Sequence, residues 1–263
     1  TLSYLMMNMR MTNMKKIYLR KSDEGIAFMH INDPVNKNAI DDEFCLQLHG
    51  IVDTIKQDKT IKVLILVGLP DIFCTGGTEA FLQSLITHYK TNIEHEYANH
   101  LKHFLNIPIP VIAAMEGSAT GGGLVLGLYA DILVAAEESR YGMSFMNMGF
   151  TPGMGSTAMS KEAFGYYTGF EMMVTGNYIR GSELKGKCCF NYILPRAMVM
   201  EKAIELATSI AEKPRHSLEL LKKYMSIDRR KMLEETSTIE AFMHHIAFNQ
   251  SNIEQQIQDN YTG

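Results

Sequence analysis

Residues 109–123 read Ile-Pro-Val-Ile-Ala-Ala-Met-Glu-Gly-Ser-Ala-Thr-Gly-Gly-Gly, and residues 130–135 read Ala-Asp-Ile-Leu-Val-Ala. The apolar run Val111–Met115 is typical of a strand that is buried on both faces. Three glycines then open an apolar helix that runs through Ala130, and a second buried strand follows at 132–135. This order of elements predicts an α/β fold in which a glycine turn lets the backbone approach a ligand closely.

Strand and helix signals alternate upstream of this segment as well. The runs 16–20 and 25–31 flank a turn at residues 22–25 and predict a hairpin. Asp41 or Asp42 can cap a helix, and the continuous apolar run 62–67 predicts another buried strand. An apolar stripe at helical spacing predicts a further helix that ends before Pro108; its residues are Ile93, Tyr97, Leu101 and Phe104.

After about residue 160 the signals are mostly helical. The pattern predicts one domain with a core at 15–195 and a helical C-terminal region at 196–263. Residues 1–14 are expected to be a poorly ordered leader, and an amphipathic stretch that docks on a neighbouring subunit or domain is the alternative. In the charged stretch 196–231 the expected core positions are Ala203, Leu206, Ile210, Leu218, Leu221 and Tyr224.

The composition excludes several classes of protein. The chain has 263 residues, with 25 Lys and Arg against 29 Asp and Glu, and its net charge of −4 argues against nucleic acid as a partner. No apolar run reaches the roughly 18 residues of a membrane span. The four cysteines lack metal-ligand spacing, and the adjacent Cys188 and Cys189 are a poor disulfide pair. We therefore expect a cytoplasmic protein without a metal site.

Two glycine clusters each follow a predicted strand: Phe73-Cys-Thr-Gly-Gly-Thr78 and Gly117-Ser-Ala-Thr-Gly-Gly-Gly123. The second lies at a helix start, where backbone N–H groups lack helical partners and the helix dipole is positive. Two such N–H groups that converge on one oxygen form an oxyanion hole. Tight turns at strand ends are the alternative interpretation. Neither cluster has the Gly-Lys-Ser/Thr of a phosphate-binding loop.

With these clusters and the strands around them, the chain resembles the crotonase (enoyl-CoA hydratase/isomerase) superfamily from about residue 15 to its end. The resemblance implies a spiral of ββα turns, a helical C-terminal trimerisation region, and homotrimers or hexamers. It also implies an acyl thioester substrate whose carbonyl oxygen is held by two backbone N–H groups. Matched motif by motif, these N–H groups belong to Gly77 and Gly122.

Departures from the hydratases of this family point to a different reaction. Hydratases resemble one another in two glutamates that handle water, and the matching positions here are Val125 and Phe145. Because these side chains cannot transfer protons, they do not support a two-glutamate hydration mechanism. An apolar pocket with an oxyanion hole favours loss of CO₂ from a carboxylated acyl thioester. The pocket disfavours the carboxylate relative to neutral CO₂, and the hole stabilises the dienolate that forms.

Three features resemble the decarboxylating crotonases of polyketide β-branching (HMG-CoA synthase-type) cassettes: residues 149–155, Thr78, and Phe242-Met-His-His-Ile-Ala-Phe248. This resemblance implies a 3-methylglutaconyl-type substrate, a 3-methylcrotonyl-type product and no separate cofactor. The substrate is then carried on the phosphopantetheine of an acyl carrier protein, and an upstream dehydrating crotonase is a further partner. His244 matches the histidine of the subgroup and is the expected proton donor. His245 is the alternative, and an ordinary polar helix residue is the other interpretation.

Two positions depart from the decarboxylases themselves. Some members have a tyrosine four residues and a lysine eight residues after the first oxyanion residue, where this chain has Phe81 and Leu85. Two other functions therefore stay open: an enoyl-CoA hydratase or isomerase, and a non-catalytic scaffold that binds a carrier protein. The expected substrate-binding residues are Thr78, Phe81, Leu85, Val125 and Phe145.

Other candidate groups have ordinary structural interpretations beside them. Cys74 is expected to be small apolar filler rather than a nucleophile, because no paired base is evident. Basic residues between 213 and 231, among them Arg229 and Arg230, are a candidate docking surface for an acidic carrier protein or a solvated helix face. A solvated face is also expected, rather than a metal site, for the three histidines of one helix segment, His95, His100 and His103.

Overall fold

The larger of two β-sheets forms the frame of the domain in the computed structural model, which describes residues 15–91 and 101–262. In spatial order its strands are β1 (Ile17–Lys21), β2 (Ile26–Ile31), β3 (Val63–Val67), β5 (Val111–Met115), β7 (Ile132–Ala136) and β10 (Tyr192–Leu194). β1 and β2 form the predicted antiparallel hairpin, with Ile17 opposite Ile31, and the later pairings are parallel. β3 and β5 are buried along their whole length, as their uninterrupted apolar sequences predict.

A second sheet carries the two glycine clusters. Its strands, in order, are β4 (Ile72–Cys74), β6 (Ser118–Thr120), β8 (Arg140–Gly142) and β9 (Tyr178–Arg180). β4 and β6 are parallel neighbours, so their C-terminal ends lie side by side. Residues 75–78 follow β4 and residues 121–123 follow β6. The topology thus brings the two clusters together at one edge of the sheet.

Helices surround the sheets and extend the C-terminal region. The helices are α1 (Asp42–Gln57), α2 (Glu79–Thr91), α3 (Gly122–Leu128), α4 (Ser156–Thr175), α5 (Gly181–Leu184), α6 (Arg196–Ala211), α7 (Arg215–Met225), α8 (Ile227–Phe248) and α9 (Ile253–Thr262). Of the two capping residues that the sequence offers, Asp41 caps α1, because its side chain accepts a hydrogen bond from the N–H of Phe44 at 2.9 Å. α4 is kinked at Gly165, whose φ of 68° lies in the left-handed region.

Apolar side chains pack on both faces of the larger sheet. On one face α6 presents Val199, Ala203 and Ala207 to β3, β5 and β7, and these small residues allow close packing. On the other face residues of α1, α2 and α3 form a larger cluster that includes Phe73 and Tyr141. The glycine clusters border this larger core, so their backbone is held by well-packed surroundings.

The predicted α/β fold, with a mostly helical region after about residue 160, is confirmed, and one finer prediction is wrong. The short strands β9 and β10 lie between helices of that region, since three-residue strands are too short to show a period. Leu221 and Tyr224 were expected in the core, but 62% and 75% of their surfaces are exposed. α7 lies on the surface and buries only Leu218.

Some predictions fall outside the described residues. The leader at 1–14 is one of them, as are Ile93 and Tyr97 of the predicted helical stripe. Phe104 of that stripe is buried, in a 3₁₀ turn at Leu101–Asn106. The division of the chain at 195/196 stays a prediction. No helix within 15–91 or 101–262 is long and apolar enough to cross a membrane.

Candidate active site

The first glycine cluster is held by a short backbone bridge to Ile40. The N–H of Ile40 donates to the carbonyl of Gly76 at 2.7 Å, and the N–H of Thr78 donates to the carbonyl of Ile40 at 2.9 Å. Successive N–H groups of an extended segment point in opposite directions. The N–H of Gly77 is therefore directed away from Ile40, and Gly77 borders a cavity on its other side.

The second cluster begins α3 and approaches the first closely. Gly122 is the first helical residue, so its N–H has no acceptor within the helix. A Cβ on Gly76 would lie 3.1 Å from the nitrogen of Gly122, and one on Gly123 would lie 2.1 Å from the carbonyl oxygen of Cys74. Such contacts require glycine. Gly77 and Gly122 border the same cavity, as the oxyanion-hole interpretation requires.

The cavity has a volume of about 210 Å³ and mostly apolar walls. No Asp, Glu or Lys is found among the described residues that line it. The described lining therefore offers no carboxyl group as a proton donor; its titratable side chains are one histidine, three tyrosines and one cysteine. The apolar part of the wall includes Ile40, Phe81, Leu82, Leu85, Phe145, Met148, Phe150, Met154 and Phe248.

His244 lines the cavity and has only 7% of its surface exposed. Its Nε2 lies 2.7 Å from the carbonyl oxygen of Thr151. A carbonyl can only accept, so Nε2 carries a hydrogen and donates it. The ring contacts the edge of Tyr89, with centroids 5.0 Å apart. His245, the alternative donor, is not among the residues that line the cavity, and its Nδ1 lies 3.0 Å from the carbonyl oxygen of Tyr89.

Comparison with known proteins identifies the family. The model of the family described as enoyl-CoA hydratase/isomerase matches residues 21–261. The chain belongs to this family. It is 34% identical to the bacillaene synthase decarboxylase of Bacillus subtilis over 248 residues. This alignment covers 93% of this chain and 97% of that protein.

Two solved structures have the same fold over nearly their whole length. The decarboxylase domain of CurF from Lyngbya majuscula is 31% identical, with a TM-score of 0.83 over 94% of this chain and 99% of that one. The other belongs to a dehydratase/decarboxylase enzyme couple involved in polyketide β-branching. It is 34% identical, with a TM-score of 0.87 over 94% of this chain and 100% of that one. These similarities confirm the predicted crotonase fold and the predicted decarboxylase type of lyase.

The predicted substrate-binding residues of this crotonase fall into two groups. Phe81, Leu85 and Phe145 line the cavity. Thr78 and Val125 do not. The Thr78 hydroxyl accepts from the N–H of Phe81 at 3.2 Å at the start of α2, and Val125 is fully buried in the core. A role for Thr78 and Val125 in substrate binding stays a prediction.

Two residues of the cavity wall, Tyr261 and Met154, could not be predicted as site residues from the sequence pattern. Tyr261 of α9 donates its hydroxyl hydrogen to the carbonyl of Gly77, and burial raises its pKa to about 12. Met154 has a φ of 65°, and its terminal methyl lies 3.0 Å from where a Cβ on Gly122 would be. The Gly-Met-Gly sequence at 153–155 allows an unusual turn but does not indicate that the thioether contacts Gly122.

The basic stretch is mostly folded inward, which corrects the docking hypothesis. Arg229 donates to the carbonyl oxygens of Leu128 and Ala130, and Arg230 donates to that of Leu105. Lys222 is nearly buried and pairs with Asp131 at 2.7 Å. These cations hold α7 and α8 against the core and are not available to a partner. Lys213, Lys223 and Lys231 remain exposed.

The remaining candidates have structural roles or lie outside the description. Burial raises the pKa of the Cys74 thiol to about 12, so this group is not an activated nucleophile. His95 and His100 are outside the described residues. The ring of His103 packs on that of His49, with centroids 4.3 Å apart. No group of three or more His, Cys, Asp or Glu within 15–91 and 101–262 could hold a metal ion.

Proposed function

We propose that the protein removes CO₂ from a 3-methylglutaconyl-type thioester on an acyl carrier protein and forms a 3-methylcrotonyl-type thioester, as a step of polyketide β-branching. One observation carries this proposal. The cavity combines two glycine N–H groups and a histidine with an apolar wall, and no carboxylate is found among the described lining residues. Similarity to the Bacillus subtilis and Lyngbya majuscula decarboxylases supports the loss of CO₂, and similarity to the dehydratase/decarboxylase couple supports polyketide β-branching.

The N–H groups of Gly77 and Gly122 hold the thioester carbonyl oxygen. When the bond to the substrate carboxylate breaks, CO₂ leaves and the electron pair spreads over the acyl chain onto that oxygen. Both N–H groups stabilise the charge, and loss of one such donor typically costs about 10²–10³ in rate. The apolar side chains Phe81, Leu85 and Phe145 favour neutral CO₂ over the carboxylate before it leaves.

His244 then transfers a proton to carbon and completes the reaction. The neutral ring already carries hydrogen on Nε2, bound to the Thr151 carbonyl. The imidazolium form also carries one on Nδ1, and transfer of a proton to the dienolate returns the ring to its neutral form. Water then reprotonates the ring. Since Phe81 and Leu85 replace the tyrosine and lysine of some relatives, His244 is the acid on which this mechanism relies.

Partners and assembly are part of the same proposal. An acyl carrier protein delivers the substrate on its phosphopantetheine, and an upstream dehydrating crotonase makes it. The comparison with the dehydratase/decarboxylase couple supports the dehydrating partner. We propose a homotrimer or hexamer, since α4 and α7 expose large apolar side chains, among them Tyr167, Phe170 and Leu221. The four cysteines are free thiols, which supports a reducing compartment such as the cytoplasm.

The test is to incubate the protein with 3-methylglutaconyl carrier protein and to follow the mass of the intact acyl group. Loss of the mass of one CO₂ supports the proposal. Gain of the mass of water would show a hydratase instead. No change, with binding to the carrier protein retained, would show a scaffold.

A further inference from the structure

Glu240 is a buried carboxylate that the proposed reaction does not use. It lies on α8 with only 2% of its surface exposed. Its Oε2 accepts from the N–H of Gly155 at 2.6 Å, and its Oε1 accepts from the N–H and the hydroxyl of Thr157 at 2.9 and 2.7 Å. Three donors at the N-terminus of α4 favour the ionised carboxylate. Glu240 therefore carries a negative charge inside the protein.

Glu240 and His244 hold the same loop. They are four residues apart on α8, so their side chains are neighbours on one face of the helix. Glu240 binds residues 155–157 at one end of the loop, and the Nε2 of His244 donates to the Thr151 carbonyl at the other. Between these points Met154 contacts Gly122 of the oxyanion hole.

The surroundings of the His244 ring disfavour a positive charge. Tyr89 packs on it from α2, Phe150 and Gly153 pack on it from the loop, and Phe248 packs on it from its own helix. Of these groups only Tyr89 titrates, and a neutral phenol does not offset the loss of solvation. Burial in such surroundings lowers the pKa of an imidazole. His30 shows the effect, because burial and the charge of Arg20 lower its pKa to about 4.

The charge of Glu240 affects tyrosines on both sides of the loop. The pKa of Tyr89, which contacts the His244 ring, is raised by burial and by Glu240. The pKa of Tyr129 is raised by the same two causes, and the hydroxyl of Tyr129 donates to the Met154 carbonyl. The carboxylate thus acts on groups that contact the imidazole and on groups that hold Met154.

We propose that Glu240 is a positioning residue for His244: its buried carboxylate fixes the loop that both side chains bind, and its charge favours the imidazolium form that donates a proton. The inference rests on the proposed function for its catalytic consequence, but the coupling of the two side chains can be measured without substrate. A residue with a purely structural role would hold the loop without changing the protonation of the ring.

The test is an NMR titration of the His244 imidazole, assigned by the resonance that is lost in His244→Gln. In the wild type we expect its pKa to be at or above about 6.5, the ordinary value. Glu240→Gln keeps the shape and removes the charge, so it should lower this pKa by about 1–3 pH units. Glu240→Asp keeps the charge and should leave the pKa nearly unchanged. The matched control is Glu235→Gln, an exposed glutamate on the same helix whose charge is screened by solvent.

An unchanged His244 pKa in Glu240→Gln would overturn the proposal, as would equal shifts in Glu240→Gln and Glu235→Gln. If Glu240→Gln does not fold, the His244 pKa of the wild type is the deciding measurement. A value below about 5 would mean that no negative charge offsets the burial of the imidazole, and it would overturn the proposal. The kcat/KM of decarboxylation should change in these variants in the same order as the His244 pKa. In Glu240→Gln the alkaline limb of the pH profile of kcat/KM should move to lower pH. A wild type without decarboxylase activity would contradict the proposed function, while the NMR titration would still decide the coupling.

Discussion

The contact between the two glycine clusters can be tested with neighbouring glycines of α3. In Gly123→Ala the new Cβ would lie 2.1 Å from the carbonyl oxygen of Cys74, whereas real Cβ atoms stay at least 3.0 Å away. The backbones must therefore separate by about 0.9 Å at the point where the two glycine clusters meet. Overpacking against backbone should lower the free energy of unfolding by about 3 kcal/mol. A displacement of this size should also lower kcat/KM by about 100-fold.

Gly122→Ala is the matched comparison. Its Cβ would lie 3.0 Å from the terminal methyl of Met154, the far end of a flexible side chain that can rotate away. We expect its free energy of unfolding to stay within about 1 kcal/mol of the wild type. The two alanine variants differ by one position and by the kind of atom that each new methyl group meets.

Urea unfolding at a fixed protein concentration measures both variants, and the fixed concentration matters because assembly contributes to stability. The transition midpoint should fall clearly for Gly123→Ala and little for Gly122→Ala, with the same slope. Wild-type midpoint and activity in Gly123→Ala would refute the close approach of the two clusters. Equal losses of stability in both variants would refute the distinction between backbone and side-chain contacts.

Three further predictions concern other parts of the chain. His244→Gln should lower kcat of decarboxylation by about 10²–10⁴, whereas His245→Gln should stay within a few-fold of the wild type; equal losses in steady-state kinetics would contradict this assignment. Gly50→Ala should raise the free energy of unfolding by about 0.5–1 kcal/mol, because Gly50 lies inside α1 with open space around it; a lower urea midpoint would show that the helix is strained there. Arg229→Glu should lower the free energy of unfolding by about 1–3 kcal/mol, because the carbonyls of Leu128 and Ala130 lose their donor; unchanged stability with weaker carrier binding would restore the docking hypothesis.

The sequence was sufficient for the parts of the site that depend on local chemistry. Gly77 and Gly122 are predicted to act through backbone N–H groups, so a strand followed by glycines already indicates where these donors can lie. The resemblance to the decarboxylases points to Phe81 and Leu85, which match their tyrosine and lysine positions, and both line the cavity. His244 could be distinguished from His245 only by the resemblance, and the structure places His244 at the cavity wall.

The parts that sequence did not predict depend on contacts between distant elements. Tyr261 reaches Gly77 across 184 positions of the chain, and no helical pattern indicates which face of α9 meets the glycine turn that follows β4. Every residue of α3 is buried, so the apolar character of Val125 could not show whether it faces substrate or core. Arg229 has the charge of a surface residue, but its guanidinium satisfies carbonyl oxygens at and just beyond the end of α3.

The central claim is that the cavity stabilises a dienolate formed by loss of CO₂ and that the enzyme then protonates carbon. The most direct measurement is the mass of the acyl group after reaction of 3-methylglutaconyl carrier protein in D₂O, at times short enough to precede further exchange. The mechanism predicts a product that has lost one CO₂ and gained one deuterium on carbon, since the His244 proton exchanges with solvent. A product that has gained the mass of water, or one that has lost CO₂ without taking up deuterium, would contradict it.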